Sequence, residues 1–176
     1  LYEAKVVLSR TREGSAVLRS RAGSPSEDSK FLVAPYPSVP NLVRRPSDIQ
    51  LKRNKNMETI NFCYLGSVGP QYRVDQVLDI CVALRSKGLD VTLAVFTRDF
   101  SRFRQVMSLR GLENPGWVTA EEATWNQLHQ RISAFDAGFS FREVRFSTRA
   151  VSPVKINDYL LAGIPIIGNA FSPLQL

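Results

Sequence analysis

The sequence has few of the side chains that most often carry metal or acid–base chemistry. Its 176 residues include one histidine and two cysteines. Cys63 and Cys81 lie in apolar segments without zinc-type spacing, so we expect two buried thiols rather than a disulfide or a metal site. His129 lies in a polar helical stretch and is assigned no role. We therefore expect neither a metal nor a cofactor.

The sequence also lacks long apolar runs and, at its start, the pattern of a signal peptide. No run approaches the ~18 residues that a membrane span requires, and the N-terminus has no basic-then-apolar plan of a signal peptide. Hydrophobic residues make up 44% of the chain and charged residues 22%, which is typical of a globular, soluble protein. The chain begins with Leu1 rather than Met, so we expect a fragment.

The formal net charge of +7 is concentrated in the first third of the chain. Residues 1–56 contain 11 Lys and Arg against five Asp and Glu, whereas residues 57–176 contain 12 against 11. The basic residues of the front are scattered, with little aromatic interleaving. A solvated surface is a better explanation of this basic N-terminal third than a nucleic-acid partner, although its charge would also suit contact with an anionic membrane surface.

Strands and helices alternate along the chain, which predicts an α/β fold with a parallel sheet. Residues 37–56, rich in proline and charge, have the composition of a linker. The predicted organisation is therefore 1–36, the linker 37–56 and a domain over 57–176. The predicted strands cover 5–9, 31–36, 59–65, 91–97, 116–118, 134–141 and 164–168, and the predicted helices 11–21, 74–87, 99–110, 121–132 and 153–162.

The stretch "SPVKINDYLLAGIPII" (152–167) predicts a helix that begins on a cation. Ser152 can cap the helix, yet Lys155 lies in its first turn, where the macrodipole is already positive. The preceding loop, "REVRFSTRA" (142–150), adds Arg142, Arg145 and Arg149. A bound phosphate would turn this repulsion into attraction. The alternative is that the arginines are solvated and Lys155 extends to water.

Two further features accompany this helix start. Asp158 follows one turn later, where a carboxylate can accept hydroxyl groups from a ribose or pair with Lys155. In "LGSVGPQYR" (65–73), glycines allow a ligand to approach the backbone, and Arg73 stands at the start of the next helix. The stretch is not GxGxxG, so it is no dinucleotide fingerprint.

Three stretches carry a resemblance to a known family. They are "YLGSVGPQYRVDQVLD", "WVTAEEATWNQLHQRISAFDAGFSF" and "SPVKINDYLLAGIPIIGN". Together they resemble the C-terminal, donor-binding domain of a group 1 glycosyltransferase of the retaining, two-domain GT-B type. The resemblance implies a Rossmann-like parallel sheet sandwiched by helices, truncated at its C-terminus and preceded by the tail of an N-terminal domain.

The resemblance also implies a function. The full-length enzyme would transfer a hexosyl group from a nucleotide-sugar donor, such as a UDP- or GDP-sugar, to a saccharide or lipid-linked acceptor in polysaccharide biosynthesis. It would be cytoplasmic or peripheral at the inner membrane face. The acceptor site belongs to the missing N-terminal domain, so the fragment alone is expected to be inactive. Two alternatives stay open, a degenerate GT-B domain acting as a non-catalytic scaffold and a nucleotide-sugar epimerase domain.

By position, the resemblance assigns site residues. The catalytic residues would be Arg73 at the pyrophosphate and Asp158 at the ribose, without a metal. The donor-binding residues would be Gly66, Ser67, Thr97, Val118, Arg149, Ser152, Val154 and Lys155. Two positions depart from the family pattern. Ala150 replaces the first acid of the paired acidic motif, and Ser67 stands where many relatives have a basic residue.

Overall fold

The computed structural model describes residues 7–9, 16, 20, 31–33, 59–145 and 154–169. The chain divides into two compact units. The first contains a two-stranded parallel sheet of β1 (Val7–Ser9) and β2 (Phe31–Val33), within the predicted strands 5–9 and 31–36. The predicted linker and most of the predicted helix 11–21 lie outside the described residues.

The second unit is built on a five-stranded sheet, and all its strand pairs are parallel. The strand order is β5-β4-β3-β6-β7, which places β3 in the centre. The predicted Rossmann-like α/β class is therefore confirmed. The strands are β3 (Thr59–Leu65), β4 (Asp90–Phe96), β5 (Val118–Glu121), β6 (Ala137–Ser140) and β7 (Ile166–Gly168).

Within the described residues, four α-helices cover the two faces of this sheet. They are α1 (Val74–Ser86), α2 (Phe100–Ser108), α3 (Trp125–Ile132) and α4 (Val154–Ala162). Alternate residues of β3 enter two separate apolar clusters, as the period of a strand requires. Phe62 and Tyr64 pack with α1 and α2, whereas Cys63 and Leu65 pack with α3 and α4. None of the helices in the described residues is long and apolar enough to span a bilayer.

Most predicted bounds hold within two residues, but the region around β5 differs. The prediction gave an extended piece at 116–118 and a helix over 121–132. The structure instead has a strand at Val118–Glu121 and starts the helix at Trp125. This edge strand is specified by its pairing with β4, in register from Leu93↔Val118 to Phe96↔Glu121, and a local pattern does not reveal such pairing. A short 3₁₀ helix at Pro70–Tyr72 was also not predicted.

Tyr159 fixes helix α4 against the sheet. Its hydroxyl donates to the carbonyl of Phe139 at 3.1 Å and accepts from the N–H of Leu65 at 3.0 Å, and its side chain is fully buried. The ring lies where Gly138 has no side chain, since a Cβ there would be 2.4 Å from it. This contact sets the position of the residues on α4 relative to the end of β3.

Candidate functional site

The main cavity lies at the carboxyl edge of the sheet, the usual ligand-binding edge of open α/β folds. Its volume is about 310 Å³. It is lined by the segments that follow three neighbouring strands, 65–67, 96–99 and 122–123, together with Leu128 of α3. The residues predicted at the turn after β3 and at the end of β4, Gly66, Ser67 and Thr97, all lie in this wall.

The turn after β3 exposes its backbone to the cavity. Gly66 has a φ of +106°, a backbone conformation that residues other than glycine rarely adopt. Its N–H donates to the carbonyl of Phe96 at 2.9 Å. Tyr64 donates from its hydroxyl to the carbonyl of Ser67 at 2.6 Å. The turn is thereby held in a shape that a ligand can approach closely, and the exposed Ser67 brings no charge to it.

The loop after β4 braces this turn. The N–H of Val68 donates to Asp99 Oδ2 at 2.9 Å, and the N–H of Asp99 donates to the Thr97 hydroxyl at 3.0 Å. Thr97 is buried, and its N–H donates to the carbonyl of Glu121 at 2.9 Å. Thr97 therefore shapes the wall in addition to lining it.

Lys155 points inward to the turn after β3. Its Nζ lies 4.0 Å from the ring centroid of Tyr64 and 5.3 Å from that of Tyr72. It is 3.9 Å from the position of a Cβ on Gly66. The ammonium is buried, and among the described residues it has no hydrogen-bond partner. Burial, with a smaller contribution from the charge of Arg142, lowers its pKa from the ordinary 10.5 to about 7.

Arg142 supplies a second cation beside Lys155. Its guanidinium carbon lies 5.2 Å from the ring centroid of Tyr72, and its buried Nε has no partner within the described part of the chain. The Asn169 side chain holds the Arg142 backbone, because Oδ1 accepts from the N–H at 2.9 Å and Nδ2 donates to the carbonyl at 2.7 Å. Sequence reasoning named Arg142 in the basic loop but left it, with both tyrosines, out of the donor-binding set.

Asp158 contacts His129 rather than Lys155. His129 Nε2 and Asp158 Oδ1 are 3.1 Å apart, and the two side chains are only 9% and 14% exposed. Burial raises the pKa of Asp158, while the adjacent His129 opposes that rise. The sequence offered no signal for this pair, since the two residues are 29 positions apart on different helices.

Five of the described predicted site residues do not line the cavity: Lys155 and Asp158, whose contacts are given above, and Arg73, Val118 and Val154. Arg73 adopts a left-handed conformation with a φ of 47°, and its guanidinium pairs with Asp75 at 3.1 Å. Val118 lies at the amino end of β5 and lines a separate cavity of about 240 Å³ beside α2. In that part of the fold, Glu122 and Ala123 reach the main cavity instead.

The remaining predicted residues belong to the loop before α4 and its start. Arg149 and Ser152 lie outside the described residues, as does Ala150, the position that differs from the family's acidic motif. Val154 is the first residue of α4 and is exposed. Across the described ranges there is no group of three or more His, Cys, Asp or Glu that could hold a metal ion.

The cavity, the glycine turn at its edge, the buried ammonium of Lys155 and the neighbouring guanidinium of Arg142 together form a site suited to a phosphorylated ligand. No protein-family model and no curated protein matches the chain. Solved structures do match it. The pneumococcal O-GlcNAc transferase GtfA, in complex with UDP and GlcNAc, is 12% identical with a TM-score of 0.66, over 95% of this chain and 30% of its own.

Two further structures are similar. Anabaena HepE, in complex with UDP and glucose, is 17% identical with a TM-score of 0.64, over 97% of this chain and 46% of its own. The apo form of the lipopolysaccharide outer core galactosyltransferase WaaB is 18% identical with a TM-score of 0.57. The match covers 93% of this chain and 43% of WaaB. The chain thus spans less than half the length of these proteins. It has the Rossmann-like fold of GT-B glycosyltransferases, as the sequence resemblance predicted.

Proposed function

We propose that this chain is the donor-binding part of a glycosyltransferase. It would hold a nucleotide-sugar, such as a UDP- or GDP-sugar, while a hexosyl group is transferred to a saccharide or lipid-linked acceptor. The acceptor site would belong to a part of the protein outside this chain. The setting we propose is polysaccharide assembly at the cytoplasmic side of a membrane.

One observation carries this proposal: the buried ammonium of Lys155 beside Gly66, which has no hydrogen-bond partner within residues 59–145 and 154–169. A buried charge without a partner is costly, and an anion placed between Lys155 and the backbone of the turn would remove that cost. Arg142, against the same Tyr72 ring, adds a second positive charge. A pyrophosphate, with charge on both phosphates, matches this pair better than a single carboxylate.

The same cations account for the chemistry that we propose. When the bond from the sugar to the nucleoside diphosphate breaks, negative charge accumulates on the departing phosphate. Lys155 and Arg142 would stabilise that charge in a site from which water is largely excluded, where electrostatic effects are strong. The chain's own contribution to the rate would therefore be leaving-group stabilisation, and it requires no metal.

The rest of the nucleotide is assigned to the main cavity. A volume of about 310 Å³ is at the lower end for small-molecule sites and suits a nucleoside. The neighbours GtfA and HepE have UDP bound in their structures, which favours UDP as the first nucleotide to test. Asp158, three residues after Lys155 on α4, would accept hydrogen bonds from the hydroxyl groups of the ribose.

The experiment is calorimetric titration of the 176-residue chain with UDP, GDP and ADP. Lys155→Met is compared with Lys87→Met, which makes the same charge change at an exposed lysine that follows α1. We expect one nucleotide to bind saturably, Lys155→Met to weaken it at least tenfold, or about 1.4 kcal/mol, and Lys87→Met to have no effect. Equal effects of the two variants would contradict the assignment of Lys155.

A non-catalytic scaffold is the second candidate, and a specific observation favours it. The turn after β3 carries less positive charge than the resemblance implies, because Ser67 is neutral and Arg73 pairs with Asp75. A scaffold need not bind any nucleotide. Absence of binding by the unaltered chain at millimolar UDP, GDP and ADP would therefore refute the donor-binding proposal and support the scaffold.

A further inference from the structure

The contact between His129 and Asp158 joins the two helices that cover one face of the sheet. His129 is the fifth residue of α3 and Asp158 the fifth of α4. Leu128, which precedes His129, lines the main cavity. Asp158 lies three residues after Lys155, whose ammonium is beside the turn after β3. On α3 the pair is thus one residue from a residue that lines the cavity, and on α4 it is about one turn from Lys155.

The ionisation of Asp158 and the tautomer of His129 determine which group donates. When the carboxylate is ionised it can only accept hydrogen bonds, and a ring that carries its proton on Nε2 then donates to Asp158 Oδ1 across 3.1 Å. This occupies one carboxylate oxygen and restricts the rotation of the side chain. The other oxygen, Oδ2, is the one that we expect to accept from a ligand. Because both side chains are mostly buried, the contact is shielded from competing water and is stronger than a surface ion pair.

We propose that His129 is a positioning residue for donor binding, which orients the Asp158 carboxylate so that its Oδ2 accepts the hydroxyl groups of the donor's ribose. This inference rests on the proposed function. It gives the chain's single histidine a role in selecting ribonucleotides, although His129 itself does not contact the nucleotide.

The single histidine makes the pair directly observable. In a chain labelled with ¹⁵N-histidine, all ring signals belong to His129. We expect the neutral ring to carry its proton on Nε2, and Asp158→Asn to shift the ring signals strongly. The matched variant Asp79→Asn, at an exposed carboxylate on α1, should leave them unchanged. A ring protonated on Nδ1 alone, or insensitive to Asp158→Asn, would overturn the inference without reference to any nucleotide.

The functional test compares UDP with 2′,3′-dideoxy-UDP, which lacks both ribose hydroxyl groups. His129→Ala should weaken UDP binding five- to tenfold and leave binding of the dideoxy nucleotide unchanged. His129→Gln, whose side-chain amide can donate from nearly the same position as Nε2, should recover most of the affinity for UDP. Gln130→Ala, at the exposed neighbour on the same helix, serves as the control.

The outcomes separate the inference from the proposed function. Equal weakening of both nucleotides by His129→Ala would mean a merely structural role, and no weakening of either would mean no role; both results overturn the inference while nucleotide binding stands. If the unaltered chain binds neither nucleotide, the proposed function fails and the inference fails with it. Loss confined to UDP, with rescue by glutamine, is the supporting result.

Discussion

Replacing Lys155 with methionine should make the ligand-free protein more stable. A pKa lowered from 10.5 to about 7 corresponds to a cost on the order of 5 kcal/mol for keeping the ammonium charged in the fold. The contact with the Tyr64 face offsets part of the penalty of burial, by about 1–2 kcal/mol. Methionine retains the apolar length of the side chain without the charge, so we expect the free energy of unfolding to rise by about 1–4 kcal/mol.

The pH dependence gives this prediction its sharpest form. Below about pH 7, Lys155 is charged in both the folded and the unfolded chain, and the folded state bears the full cost. Between about pH 7 and 10.5 the unfolded chain binds more protons than the folded one, so the stability of the unaltered protein rises with pH. The advantage of Lys155→Met should therefore be largest at pH 6.5 and should shrink by pH 9.

Urea denaturation at these two pH values measures the effect, with Lys87→Met as the matched control. The control removes the same charge from an exposed position, so we expect it to change stability by less than about 0.5 kcal/mol. Two results would refute the view that the buried charge of Lys155 destabilises the ligand-free fold. One is a lower free energy of unfolding for Lys155→Met at pH 6.5, and the other is a gain in that free energy that does not diminish at pH 9.

Three further predictions concern the same region. Because an anion beside Lys155 favours the protonated amine, nucleotide binding at pH 8 should be accompanied by the uptake of nearly one proton. Calorimetric titrations in two buffers of different ionisation enthalpy measure this proton uptake, and equal observed heats in the two buffers would contradict the prediction. Arg73→Gly should keep nucleotide affinity within threefold and leave stability unchanged or raised by up to about 1 kcal/mol, because glycine suits the left-handed backbone; a tenfold loss on titration would instead support the predicted role of Arg73 at the phosphates. Tyr159→Phe should lower the free energy of unfolding by about 1–3 kcal/mol in urea, since Leu65 and Phe139 lose a buried partner; a smaller loss than about 0.5 kcal/mol would contradict the importance of that contact.

The central strands could be predicted from the sequence because both of their faces are buried. β3 was predicted at its observed bounds and β4 within one residue, since each reads as a nearly continuous apolar run. β5 was predicted too early in the chain, at 116–118, for the opposite reason. It is an edge strand whose middle residues, Thr119 and Ala120, are exposed, and the segment "TAEE" resembles the polar start of a helix. Only its partner β4 makes it a strand.

The candidate site could be predicted only where backbone rules determine the geometry. Gly66 follows from the turn after a buried strand, and Lys155 from a cation at the wrong end of a helix. Arg73 was assigned by its place at a helix start, but such a place does not determine where a flexible side chain points. The guanidinium of Arg73 donates to the carboxylate of Asp75, two residues further on. The contact of His129 with Asp158 depends on the packing of two helices, which no local pattern encodes.

The tyrosines explain how the site tolerates its own charge in the absence of a ligand. Local rules predict that Lys155 and Arg142 should repel each other and the helix start. The pKa of Lys155 is lowered mainly by burial, and the charge of Arg142 adds a smaller contribution. Tyr72 lies against both cations, and Tyr64 against the ammonium, so aromatic faces provide weak attraction where water is excluded. That attraction is smaller than the attraction of a phosphate dianion. The site is therefore stable enough to fold but retains an electrostatic cost that an anion relieves, which is why a stabilising substitution at Lys155 is expected to remove binding.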